Sequence, residues 1–133
     1  MSFRQELNNL VGFEKDIYAA VEEIKRLRVM AENLQSVRLY EDKLKSTPKH
    51  DRMSDIVAKI VEYQENLERK TTRYVAALKS IEDKIEAIQN PDERLIINMR
   101  YIQHKKWTDI AEEVCLSESQ VYRKHKIALQ KVH

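Results

Sequence analysis

Two long runs, in which apolar residues recur every three or four positions, constrain this chain more than any other feature. The first extends from about Phe3 to Leu44. Leu7, Leu10, Ile17, Val21, Ile24, Leu27, Ala31, Leu34 and Val37 fall on it at steps of three, four or seven, which is one stripe along a helix. Gly12 interrupts the run and weakens it locally by ~1 kcal/mol. The second run is more regular: Met53, Ile56, Ile60, Tyr63, Leu67, Thr71, Tyr74, Leu78, Ile81, Ile85 and Ile88. Threes and fours alternate in it apart from two successive fours after Tyr63, giving a near-heptad seam with one stutter. At 1.5 Å per residue such a helix is ~55 Å long.

Between the runs lies "KSTPKHD". Pro48 removes a backbone donor and biases Thr47 away from helix, and Asp51 or Ser54 can cap the second helix. A short break between two striped helices predicts an antiparallel, coiled-coil-like hairpin over residues 1–90. Neither helix hides its stripe alone, so a homodimer is expected. Tyr63 and Tyr74 sit at stripe positions and are read as packing residues.

Composition agrees. One Gly and two Pro in 133 residues, with 35% of residues charged, suit long helices in one small all-α protein. No apolar run approaches the ~20 residues that span a bilayer, and "MSFRQELNN" has no apolar signal core. Cys115 is the lone cysteine, which excludes an internal disulfide and fits a reducing compartment. His50, His104, His125 and His133 are scattered, so neither a metal site nor a cofactor is expected. A single glycine offers no phosphate-cradling loop. An enzyme is therefore not expected. His125, near the inner face of the last helix, is read as a packing or capping residue.

Residues 91–133 form a second region. Asn90 can cap, Pro91 suits the first helical position, and Glu93 completes a capping-box pattern. Leu95, Ile96, Met99 and Ile102 then point inward. "HKKW" breaks this helix, and Thr108 is the expected cap of the next, whose inner face is Ile110, Ala111 and Val114. After a turn at Cys115 and Leu116, "SESQ" supplies another capping box through Ser117 and Gln120. The last helix sets Val121, Ala128, Leu129 and Val132 on one side.

That order reads as a helix-turn-helix. It requires a small residue where the helices approach (Ala111), a turn four residues on (Cys115), and an apolar anchor six beyond it (Val121). The turn position favours Gly, because a non-Gly residue at positive φ is uncommon. Lys124 stands where an apolar residue ordinarily closes the helix pair, and is expected to lay its stem over the core. The opposite face carries Ser119, Gln120, Tyr122, Arg123 and Lys126. Arg can bond guanine bidentately and Gln adenine, whereas Ser, Tyr and Lys suit phosphates. Charge points the same way: no acid follows Glu118, while Arg123, Lys124, Lys126 and Lys131 do. With Ser117 at the cap and Lys105 and Lys106 ahead of the motif, these residues are the expected contacts to double-stranded DNA. Three helices packed for their own sake, or as a protein-binding bundle, are the plainer reading.

"ERLIINMRYIQHKKWTDIAEEVCLSESQVYRKHKIALQKV" resembles region 4 of sigma-70-type factors, in which an "LRY…IAxxL…S…V-x-R" pattern reads promoter DNA. More widely, the chain looks like a family of small phage proteins of Gram-positive hosts, classed as a domain of unknown function. Its "DRM-x-D-x-VAKI" motif is matched by Asp51, Arg52, Met53, Asp55, Val57, Ala58, Lys59 and Ile60, and its "QVYR-x-H" by "QVYRKH". The resemblance covers roughly residues 50–133, and the first helix only in character. It implies transcription control, in the manner of late-gene activators, in the cytoplasm of a bacterial host, with RNA polymerase as a further partner. A DNA-packaging protein of small-terminase type, or a protein binding RNA polymerase or an anti-sigma factor, are the alternatives.

Overall fold

A computed structural model describes residues 1–43 and 51–132, with side chains except over 38–43. The described residues form five α-helices and one π-helical turn, with no strand among them. They are α1 (Phe3–Lys43), α2 (Arg52–Glu86), α3 (Pro91–Ile97), the π turn (Asn98–Ile102), α4 (Trp107–Val114) and α5 (Glu118–Lys131). The chain separates into two compact units. One unit combines Met1–Val11 with Val75–His133, and the other is Gly12–Tyr74.

In the Gly12–Tyr74 unit, α1 and α2 pack through their stripes. Ala20, Ile24, Leu27 and Ile56 are buried, while Ile17, Val21, Leu34, Met53, Ile60, Tyr63 and Leu67 are half-buried. The Tyr74 hydroxyl donates to Glu14 at 3.1 Å, so this stripe tyrosine packs with its polar tip satisfied. Two stripe positions depart from expectation. Val37 is 50% exposed. Thr71 is exposed and returns its hydroxyl to the Leu67 carbonyl at 2.8 Å, a local bond that lets it sit outside the seam. Asp51 rather than Ser54 is the cap of α2, its Oδ1 accepting from the Ser54 amide at 3.2 Å. The break at Pro48, together with Thr47, His50 and His133, lies outside the described residues.

The other unit has a closed core. Phe3, Leu7 and Leu10 of α1, Ile81 and Ile85 of α2, Ile88, Ile96, Ile97, Met99, Ile110, Val121 and Ala128 are all buried. A capping box opens α1: Ser2 Oγ accepts from the Gln5 amide at 3.2 Å, and Gln5 Oε1 from the Ser2 amide at 2.9 Å. Lys84 pairs with Glu6, tying α2 to this first stretch of α1.

Three expectations fail in this unit. Leu95 is 41% exposed, and its inward place is taken by Ile97. The apolar face of α3 is therefore turned so that Ile96 and Ile97, rather than Leu95 and Ile96, meet the core. Asn90 does cap α3, accepting from the amides of Asp92 and Glu93 at 3.0 and 3.1 Å. The Glu93 carboxylate does not complete a box; it is buried and accepts from Lys131 at 3.2 and 3.4 Å. A buried carboxylate needs a charged partner more than a helix end needs a second cap. Thr108 is not the cap of α4: the helix starts at Trp107 after Lys106, which contributes no side-chain bond. The π turn brings this start forward. Gln103 N–H reaches the Asn98 carbonyl at 3.1 Å, Lys105 N–H reaches Met99 at 2.9 Å, and His104 reverses the chain at φ 57°.

Candidate nucleic-acid interface

Helices α4 and α5 meet across a turn whose geometry arises from three residues. Cys115 adopts the left-handed conformation at φ 58° and ψ 40°. Its N–H reaches Glu112 O at 3.4 Å, and Leu116 N–H reaches Ala111 O at 3.1 Å. This is a Schellman closure, with Leu116 as the apolar residue that accompanies it. Ser117 then caps α5 reciprocally: Ser117 Oγ accepts from the Gln120 amide at 3.2 Å, and Gln120 Oε1 accepts from the Ser117 amide at 3.1 Å. Ile96, Met99, Ile110, Ala111 and Val121 form the core beneath, flanked by Trp107, Val114 and Leu116.

With Val121 buried, the other side of α5 is set by helical geometry. Ser119, Gln120, Tyr122, Arg123 and Lys126 are all exposed. Arg123 makes no hydrogen bond or ion pair among the described residues, and neither does the Lys106 side chain. Four of the other expected contacts, Lys105, Lys124, Ser117 and Gln120, are engaged elsewhere. Lys105 lies 2.6 Å from Glu113. Lys124 is half-buried, and its ammonium sits 3.7 Å from Asp92. Ser117 and the side-chain carbonyl of Gln120 serve the cap, leaving the Gln120 amide nitrogen available.

An aromatic cluster that sequence reasoning missed lies along one flank of α5. Trp107 meets Tyr122 and His125 edge-on, with ring centroids 5.7 and 4.8 Å apart. Tyr101 stacks on His125 at 5.6 Å, and the Tyr101 hydroxyl and His125 Nε2 share a 2.7 Å hydrogen bond. Tyr122 and His125, three apart on one helix, hinted at half of it. Trp107 and Tyr101 could not be placed, because Tyr101 lies within the π turn, which shifts the helical register ahead of Trp107. His125 is 3% exposed, so it is a packing residue as expected, and its Nδ1 has no hydrogen-bond partner among the described residues. Burial, and after it the charges of Arg4, Arg100 and Lys126, lowers its pKa to about 4. Burial raises that of Tyr101.

Among the described residues, no group of His, Cys, Asp and Glu could hold a metal ion, and no helix is long and apolar enough to cross a membrane. Cys115 is free and exposed.

The chain belongs to the family described as "Protein of unknown function (DUF1492)", whose model matches residues 33–133. Comparison with curated proteins and with solved structures gives no match.

Proposed function

We propose that this protein is a phage-type, sequence-specific DNA-binding transcriptional regulator in which α4 and α5 act as a helix-turn-helix. The observation that carries this reading is the orientation of α5. Val121 is fully buried, while Ser119, Gln120, Tyr122, Arg123 and Lys126 share the exposed side. A helix anchored so from behind can enter a major groove with its polar side foremost. In this reading Arg123 meets a base edge, Gln120 offers its amide nitrogen to a base or phosphate, and Ser119, Tyr122, Lys106 and Lys126 contact phosphates. Lys105 and Lys124 contribute less, because Glu113 and Asp92 already answer their charge. The resemblance to sigma region 4 supports transcription control, with late-gene activation and a contact to RNA polymerase as its finer form. A homodimer through the Gly12–Tyr74 unit fits the paired half-sites that such motifs bind.

Genomic footprinting finds the target, and sites upstream of a late operon support regulation. Sites at a packaging signal would instead support the small-terminase alternative, and binding to polymerase without DNA the anti-sigma type. With a target in hand, Arg123→Ala should leave folding intact and cost about 1–3 kcal/mol of specific binding, with discrimination relaxed at one base pair. Equal losses on every single-base variant would reduce Arg123 to a phosphate contact. No loss at all would remove α5 from the DNA-reading role.

A further inference from the structure

The inner stripe of α2 leaves one residue over. Thr71, at a stripe position, is exposed, with its hydroxyl turned back to the Leu67 carbonyl at 2.8 Å. It belongs instead to a second stripe on the same helix. Val57, Val61, Gln64, Glu68, Thr71 and Val75 follow at steps of four, three, four, three and four, an unbroken heptad spacing. All six are exposed, the three valines to about half of their surface. The Thr71 hydroxyl is satisfied within the helix, so its methyl group is what it offers to a neighbour. The Gln64 and Glu68 side chains make no hydrogen bond or ion pair among the described residues. Read from either end, the stripe has the same order: a valine, a β-branched residue, then a polar one.

We propose that this second stripe is the seam of the homodimer, with α2 packed antiparallel against α2 of a second copy. The inference rests on the homodimer reading above and names its surface and orientation. Antiparallel pairing sets Val57 beside the partner's Val75, Val61 beside the partner's Thr71, and Gln64 beside the partner's Glu68. The Gln64 amide then donates to the partner's Glu68 carboxylate, and two-fold symmetry makes that bond twice. Parallel pairing would set Glu68 against the partner's Glu68, two like charges brought together out of water. Charge therefore selects a second copy that runs the other way. From residue 57 to residue 75 the seam is ~27 Å long, and a helix is ~10 Å wide, so each copy covers ~300 Å². A tight complex covers about 800 Å² per partner. The dimer is accordingly weak, with a Kd on the order of 10–100 µM. Paired half-sites on DNA would complete its assembly by holding both copies at once.

The test is sedimentation equilibrium of the full-length protein without DNA, from micromolar to near-millimolar concentration. The wild type should pass from monomer to dimer across that range. Val61 is exposed, so Val61→Glu should keep the wild-type helicity by circular dichroism yet stay monomeric throughout. Gln64→Lys sets a cation against the partner's Glu68 and should tighten the dimer about 3- to 10-fold, whereas Gln64→Glu should weaken it by a similar factor. In a parallel pair Gln64→Lys would set lysine against lysine, so a weaker dimer in that variant would overturn the antiparallel seam. A wild type that stays monomeric, or a dimer that survives Val61→Glu, would overturn it as well. DNA binding is scored separately. A monomer whose affinity for its site still falls with Arg123→Ala overturns the seam and leaves the role of α5 standing. A dimer that obeys these substitutions but binds no duplex supports the seam and overturns the role of α5.

Discussion

The two compact units are built from the same two long helices, yet they bury their residues very differently. Among the described residues, every large side chain that is essentially fully buried lies in the Met1–Val11/Val75–His133 unit: Phe3, Leu7, Leu10, Ile81, Ile85, Ile96, Ile97, Ile110 and Val121. In Gly12–Tyr74 the best-buried residue is Leu27 at 4%, and Val29, Val57 and Val61 stand about half exposed. Two helices cover one stripe of each other and no more. Adding α3, the π turn, α4 and α5 surrounds a core from several directions. The contrast shows that a clean stripe in sequence is no measure of a well-closed interior.

The largest effect should separate the units directly. Ile110→Ala removes a fully buried side chain and should cost about 3–4 kcal/mol, whereas Ile60→Ala, at a half-buried seam position, should cost about 1 kcal/mol. Chemical denaturation of both variants measures this. Equal costs would mean that the Gly12–Tyr74 unit is better covered in solution than the single chain implies, as a homodimer through that unit would make it.

Acid should distinguish the units next. The folded pKa of His125 is about 4, below the ordinary value of 6.5. Above pH 6.5 the ring is neutral in both folded and unfolded chains and costs nothing. As pH falls from about 6.5 toward 4, the unfolded chain takes up the proton first, and stability drops by roughly 2–3 kcal/mol. Hydrogen exchange at pH 7 and pH 5 should show protection lost around α4 and α5 more than along residues 12–37 and 52–74, where no histidine occurs. His125→Leu should flatten the dependence. A wild-type stability that holds constant down to pH 4.5 would contradict the burial of a neutral ring.

The smallest effect concerns the point where α1 passes from one unit to the other. A Cβ added at Gly12 meets no atom within 4 Å. Gly12→Ala should therefore stabilise the chain by roughly 0.5–1 kcal/mol through helix propensity alone, seen as a higher denaturation midpoint. A loss of stability would show that the junction needs a glycine for a reason other than space.

Much of the secondary structure was legible because its causes are local. Helical periodicity marked α1 and α2 nearly to their ends. The Ser117–Gln120 box, the Asn90 cap and the turn at Cys115 came from residue types at short spacing. The same periodicity put Val121 inside and Arg123 outside, since two positions on a helix are separated by about 200°. Where local rules competed with long-range ones, they lost. Glu93 left its expected cap for Lys131, and Leu95 ceded the core to Ile97.

What the sequence determined by itself was thus the set of helices, most of their caps and the outward face of α5, all governed by contacts within one or two turns. Which cations on that face are free was decided only in three dimensions. Glu113, Asp92 and Glu93 come from other parts of the chain to neutralise Lys105, Lys124 and Lys131. Arg100 and Lys126 instead lie over the Trp107 and Tyr122 rings, with no carboxylate partner among the described residues. The physical reason is range. A helix cap is settled by neighbours in the chain, whereas the charge state of a surface depends on every element that folds against it.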